Sequence, residues 1–344
     1  MTKAANPPVL EPIATPDAWT GREMRASTDW IYRLTDADIG ELLAALEHAR
    51  ARNADMYRWR REDFPLPTLG RRIHSWLNEL DRGRGFILIK GFPVAAHSEA
   101  DCAGVYWGIG LHMGKAISQN TDGDLLGHVR DTGADPKAYG VRLYKTRAEQ
   151  DFHTDGADII GLFCLKPAKS GGVSQIVSSP AIFNRMLKER PDLAPVLFEN
   201  FPFDTQGQHA PGGKPWFDMP LCRFSEGRLR TFFIAWYIRQ TQRHEAAPRL
   251  SRAQQEAVAF IERTANDPEL HLDMHFEPGD MQFLKNAAIL HKRAEYEDWP
   301  EPERKRHLLR LWLTDPHFSA GDDTLRAGIE PRKETAASTL RRKD

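Results

Sequence analysis

At 344 residues the chain is long enough for two average domains or for one large domain with additions. Its 41% hydrophobic share, with 9 Trp and 17 Phe, can fill a sizeable core and excludes global disorder. The 47 Lys+Arg nearly cancel the 48 Asp+Glu, so no overall field draws the chain to a nucleic-acid backbone or an anionic membrane.

No apolar run approaches the ~20 residues of a spanning helix, and residues 1–16 hold no apolar stretch of signal-peptide length. The expectation is a soluble, cytoplasmic protein whose partner is a small molecule, with a homo-oligomer equally allowed. Cys102, Cys164 and Cys222 are odd in number and widely spaced, which fits buried small hydrophobes and neither a disulfide framework nor a zinc ribbon.

In chain order, residues 1–20 carry Pro7, Pro8, Pro12 and Pro16 with little periodicity and read as an N-terminal arm. Ile39, Leu42, Leu43 and Leu46 recur at helical spacing over 36–52, and Thr35 and Asp36 offer caps. The run 85–93 is short, β-rich and closed by Gly and Pro, which marks a buried strand; 98–113 reads as helix. From Arg142 onward come short apolar segments, 159–165, 173–177, 228–234 and 308–313, in the texture of a sandwich or barrel. Two helices interrupt them. One opens at Ser179-Pro180; the other opens at Ser251, with Gln254 completing a capping-box pattern, and runs through Val258, Phe260 and Ile261. Residues 321–344 read as a C-terminal tail. The architecture is therefore α+β with a mainly β core, one domain over 21–320, carrying an N-terminal helical layer and helical insertions.

Position separates the chemistry-bearing histidines from the rest of the 13. In Asp151-Phe152-His153-Thr154-Asp155-Gly156, strand alternation puts His153 and Asp155 on one face, where they offer an imidazole nitrogen and a carboxylate oxygen to one ion. A third ligand is required. His291 is the best candidate: the Pro278-Gly279-Asp280 turn feeds an apolar strand, a second turn contains Asn286, and the histidine stands at the start of the next strand. Two histidines and one carboxylate form the facial triad of non-haem Fe(II) oxygenases, although zinc also accepts such a set. Arg310 lies between Leu309 and Leu311, so alternation places it on the opposite face, where it either grips a carboxylate in a cavity or faces solvent. Arg306 shares its side. Gln119, Asn120, Tyr144, Trp236 and Tyr237 are further pocket candidates. Gly108-Ile109-Gly110 lacks the third glycine of a dinucleotide loop, and His244-Glu245 lacks the second histidine of a zincin helix. The run 301–306 reads as a solvated turn.

Four stretches together, HTDG at 153–156, GGVS at 171–174, FEPGDMQFLKNAAILH at 276–291 and RKRHLLRLWL at 304–313, resemble the TauD/TfdA family of Fe(II)- and 2-oxoglutarate-dependent dioxygenases across 85–313. The resemblance implies a double-stranded β-helix, a jelly-roll or cupin-like fold with outer helices. It implies His153, Asp155 and His291 as catalytic iron ligands and Arg310 as the anchor for the distal carboxylate of 2-oxoglutarate. Ser174 stands where the family's Gly-Gly-Asp-Thr motif places a hydroxyl, with Val173 replacing the Asp. The implied reaction consumes O2 and 2-oxoglutarate, releases succinate and CO2, and hydroxylates an unactivated C–H. The retained Asp155 favours hydroxylation over halogenation. Taurine-type members carry an Asn four residues before the first ligand histidine. Here that position is Glu149, whose charge disfavours a sulfonate and points to an amine-bearing substrate. Rival readings keep the same ligands in a non-catalytic binding protein or a zinc-dependent hydrolase.

Overall fold

A computed structural model describes residues 10–209, 212–315 and 318; residues 1–9 of the expected arm and the expected tail at 321–344 lie outside it. Among the described residues the β core consists of two larger sheets and three two-stranded ones. The seven-stranded sheet runs in the order Ile31–Arg33, Phe86–Lys90, Met281–Lys285, Ile159–Lys166, His307–Thr314, Lys115–Ala116, with Leu126–Val129 also paired to His307–Thr314. Its first pair is parallel and the rest are antiparallel. The four-stranded sheet is antiparallel throughout, in the order Leu272–Met274, Ser174–Ser178, Ile289–Arg293, Gln150–His153.

Alternation along each strand builds the layers. Phe86, Leu88, Ile160 and Trp312 of the larger sheet share one cluster with Ile176, Leu272, Met274 and Ile289 of the smaller, so the two sheets face each other. Ile87, Ile89, Phe163, Leu309 and Leu311 point the other way, against the helices Asp36–Arg52, Leu69–Arg82 and Glu99–Met113. On the far side, Val177 and Leu290 pack under Ser179–Glu189 and Arg252–Ala265. Strands covered on both faces need apolar residues at every position, which is why 85–93 shows no polar alternation. The three cysteines are buried within this core.

Local signals fix the helix starts. Thr35 and Asp38, Ser98 and Asp101, and Ser251 and Gln254 each close a capping box. The helix expected to open at Ser179-Pro180 is capped by Ser178, one residue earlier.

Several expectations change. The segment 228–234 is a strand only over Arg228–Thr231, and Trp236 and Tyr237 stand on the helix Ala235–Thr241. His291 occupies the centre of its strand, not the start. Arg306 is buried against the Tyr296 ring, so the 301–306 run is solvated only in part. Residues 10–20 of the expected arm lie on the body: Ile13 exchanges two hydrogen bonds with Asn184, and the buried Trp19 donates its indole N–H to Arg84 O.

Candidate active site

The antiparallel pairing of Gln150–His153 with Ile289–Arg293 sets His153 directly opposite His291, with ring centroids 4.2 Å apart. Asp155 lies beyond the strand end, so the expected two-residue alternation does not position it; hydrogen bonds do. Asn286 Oδ1 accepts the Asp155 N–H at 2.8 Å, and Asn286 Nδ2 donates to Asp155 O at 2.7 Å and Ala157 O at 2.8 Å. Thr154 is pinned from the other side by paired bonds with Phe233. Held this way, the Asp155 carboxylate lies 3.8 Å (Oδ1) from His153 Nε2 and 3.6 Å (Oδ2) from His291 Nε2. Trp312 Nε1 donates to Oδ2 at 3.0 Å, and Arg310 Nη1 lies 3.6 Å from the same oxygen.

The donor set fits a divalent metal. One ligand atom from each of His153, Asp155 and His291 lies within 4.8 Å of the others. His153 Nδ1 sits 2.7 Å from Asp151 O; a carbonyl only accepts, so Nδ1 carries the proton and Nε2 keeps a lone pair, which accepts from Gln150 Nε2 at 2.9 Å. Burial, reinforced by His291, pushes His153 down to about 3, so it is neutral at pH 7. Burial alone would raise the Asp155 carboxyl, but Arg310, His291 and His153 hold it well below the usual carboxylate range. His291 Nδ1 is buried and has no hydrogen-bond partner among the described residues.

Two cavities adjoin these residues. The smaller, about 40 Å³, is lined by both histidines, Tyr144, Ser174, Arg306 and Arg310. Gln119, fully enclosed, accepts Arg310 Nε–H at 2.7 Å and donates to Arg310 O at 2.9 Å and Leu125 O at 3.0 Å. The strand facing Arg310 places Gly127 opposite it, where a Cβ would come within 2.7 Å of Gln119 Oε1. Tyr144 lies under the guanidinium at 4.6 Å. The Ser174 hydroxyl is 3.5 Å from Gln282 Oε1.

The larger cavity, about 530 Å³, opens over His153 and Asp155 between an apolar wall of Phe217, Phe232, Ile234 and Trp236 and a polar rim that includes Arg142, Gln206 and Tyr237. Arg142 touches the Tyr144 ring at 5.8 Å and makes no hydrogen bond or ion pair through its guanidinium among the described residues. Burial acts to lower its pKa, but Tyr237 and Asp155 raise it overall. Gln206 takes φ +53, a left-handed conformation unusual for a non-glycine residue, and is held there by Asp204 and Gln240. Asp204 is in turn neutralised by Arg243 at 2.8 Å and hydrogen-bonded to His244 Nε2 at 2.9 Å.

The structure thus brings together His153, Asp155, His291, Arg310 and Ser174, and it places Tyr237 on the rim of the larger cavity. Tyr144 lines the smaller cavity with Arg310, away from the substrate space expected for it. Glu149 lines neither: it is exposed and ion-paired to Lys292 at 2.6 Å, which removes its charge as a recognition element. Asn120 closes its own loop, donating to Asp124 Oδ2 at 2.7 Å and accepting the N–H groups of Asp122 and Asp124. Trp312, Arg142, Asn286 and Gln206 went unassigned in the sequence. Only Trp312 carried a local signal, being two residues from Arg310 on the same strand face.

Two histidines and a carboxylate converging beside a buried arginine, with a small and a large cavity on either side, define the facial-triad class of mononuclear metal centres. The profile "Taurine catabolism dioxygenase TauD, TfdA family" matches residues 47–312. The chain is 28% identical to the FR-33289 synthase of Streptomyces rubellomurinus, covering 88% of this chain and 90% of that one. It is 31% identical to the taurine hydroxylase-like protein SAT17 of Stachybotrys chartarum, covering 88% and 80%. The fold matches the crystal structure of an asparagine oxygenase solved with Fe(II), 2S,3S-3-hydroxyasparagine and succinate, with TM-score 0.65 at 14% identity, covering 83% and 94%. The chain belongs to the TauD/TfdA family. It is an oxidoreductase, a dioxygenase using Fe(II), 2-oxoglutarate and O2.

Proposed function

We propose that the protein hydroxylates an unactivated C–H of a small molecule that carries an anionic group, with His153, Asp155 and His291 holding Fe(II) and Arg310 and Ser174 holding the distal carboxylate of 2-oxoglutarate. The observation that carries this reading is the convergence of the three donor atoms within 4.8 Å beside Arg310. When bound, the iron supplies the oxidative decarboxylation of 2-oxoglutarate to succinate and CO2, coupled to oxygen insertion into the substrate. The chain's own contribution is positional. Asp151 O fixes the His153 tautomer, Trp312 N–H fixes the Asp155 rotamer, and Gln119 aims Arg310. His153 and Asp155 are buried and the His291 side chain is 11% exposed, which strengthens each charge interaction and shields the reacting centre.

The substrate's anion is read from charge balance in the larger cavity. Asp155 already faces Arg310, and Asp204 is neutralised, while Arg142 has no counter-charge of its own. Its planar fork matches a phosphate, phosphonate or carboxylate. This replaces the amine expected from Glu149. The two facing sheets are read as a double-stranded β-helix forming one domain over 21–320, onto which residues 10–20 also pack.

Anaerobic Fe(II) and 2-oxoglutarate are expected to give a weak visible charge-transfer band in wild type and none in His291→Ala. Oxygen-dependent succinate release is then expected to be stimulated by anionic rather than amine-only compounds, and Arg142→Gln is expected to raise the KM for the stimulating compound about tenfold or more, the worth of one charge-assisted contact. Absence of the band with iron loaded, or hydrolysis supported by zinc, would overturn the assignment.

A further inference from the structure

We propose that Glu99, His128 and His307 form a second divalent-metal site, on the outer face of the seven-stranded sheet and separate from the active-site triad. His128 lies in Leu126–Val129 and His307 opens the neighbouring antiparallel strand His307–Thr314. Leu309 and Leu311 of that strand point into the helical layer, and Glu99, the first residue of Glu99–Met113, reaches His307 from the same side. Arg310 and the iron ligands lie on the opposite face.

The geometry is close. His128 Nδ1 and His307 Nε2 are 2.8 Å apart, with the rings tilted 31°. Glu99 Oε2 lies 3.5 Å from His307 Nδ1, and Oε1 lies 3.8 Å from His128 Nδ1. One ligand atom from each residue lies within 4.8 Å of the other two. Two imidazole nitrogens this near must share either a proton or a metal. With metal–nitrogen bonds of about 2.0–2.1 Å, cis nitrogens lie roughly 2.9 Å apart at a right angle and roughly 3.3 Å apart at a tetrahedral angle.

Two imidazoles and one carboxylate favour zinc, cobalt, nickel or copper over magnesium or calcium. The side chains of Glu99 and His128 are 53% and 41% exposed, which leaves room for water as the remaining ligand. Asp124 faces His128 and adds negative charge; Arg130 faces both histidines and Lys166 faces His307, and these cations weaken binding relative to a closed four-ligand site. A bound ion ties the first turn of Glu99–Met113 to two strands of the larger sheet.

Cobalt(II) titration of the whole protein, followed by its visible ligand-field absorption, tests this. Wild type is expected to take two equivalents. His128→Ala and Glu99→Gln, both changes at exposed side chains, are expected to weaken one of the two by at least about 100-fold, the upper end of what losing an outer-shell partner costs. Both variants should keep the Fe(II)–2-oxoglutarate band. His291→Ala is expected to lose that band, retain the outer equivalent and gain thermal stability from zinc, whereas the His128→Ala/His291→Ala double variant should not. A single equivalent in a wild type that shows the Fe(II)–2-oxoglutarate band, or unchanged cobalt binding in His128→Ala, overturns the outer site. Loss of the band in wild type with one cobalt equivalent retained would instead count against the active-site reading.

Discussion

Trp312 and Gln119 show how much of the proposed metal site rests on residues outside the ligand set His153, Asp155 and His291. The Trp312 indole N–H fixes one oxygen of Asp155, and Gln119 grips both the side chain and the backbone of Arg310. Trp312→Phe keeps the ring and removes only the donor, so Fe(II) affinity is expected to fall about 10–100-fold with the fold intact, read by anaerobic iron titration alongside circular dichroism. Gln119→Leu leaves Arg310 without its buried acceptor. The expected result is a KM for 2-oxoglutarate raised about tenfold, in line with about 1.5 kcal/mol for a hydrogen bond to a charged group, while kcat at saturation changes little. A variant with kcat reduced and KM unchanged would show that Gln119 acts elsewhere. Alternation placed Arg310 on the face opposite Leu309 and Leu311 because a strand has period two, and the structure showed that this face is the inward one. Nothing comparable separates Gln119 from Asn120, since side-chain directions in a loop follow no period; one aims at Arg310 and the other closes its own turn.

At the level of elements, short signals worked where the partners are close in sequence. Thr35, Ser98 and Ser251 cap their helices through bonds only three residues long. The segment 228–234 misleads because Phe232, Phe233 and Ile234 are apolar without joining a ladder. Phe232 and Phe233 bond to Leu221 and Thr154, the Ile234 carbonyl accepts from Tyr237 and Ile238, and Phe232 and Ile234 wall the larger cavity. The turn after Met281–Lys285 serves the site through Asn286, whose side chain holds three backbone groups of the 155–157 loop. Asn286→Ala is expected to destabilise the protein by at least about 2 kcal/mol, because buried donors and acceptors lose their partners. The urea midpoint should fall, and iron affinity should fall with it as Asp155 is released. Unchanged iron binding would show that Thr154 and Phe233 alone suffice.

For the whole molecule, buried histidines couple stability to pH. In the metal-free protein, burial and then His291 push His153 down to about 3, and burial pushes His307 down to about 4. Both lie below the unfolded value of about 6.5, so between roughly pH 4 and 6.5 the unfolded chain binds more protons than the folded one. This stability is present in full above the unfolded value and is lost as pH falls through the window. Thermal melts with chelator present are expected to show Tm dropping from pH 7 to pH 4.5, with uptake of up to about two protons on unfolding. Iron with 2-oxoglutarate should raise Tm at fixed pH by mass action, and a Tm insensitive to both would contradict the buried centre.

What the sequence determined by itself was the order of elements, the doubly buried strands and the spaced residues His153, Asp155, His291 and Arg310, because strand period, turn chemistry and caps are local or strictly periodic. The resemblance added the roles proposed for them. Only the tertiary structure decided which charges remain available: Lys292 silences Glu149, Arg243 and His244 silence Asp204, and Arg142 is left facing the larger cavity. Ion pairing depends on distances of a few ångström between strands and loops far apart in the chain, and no local pattern encodes those distances.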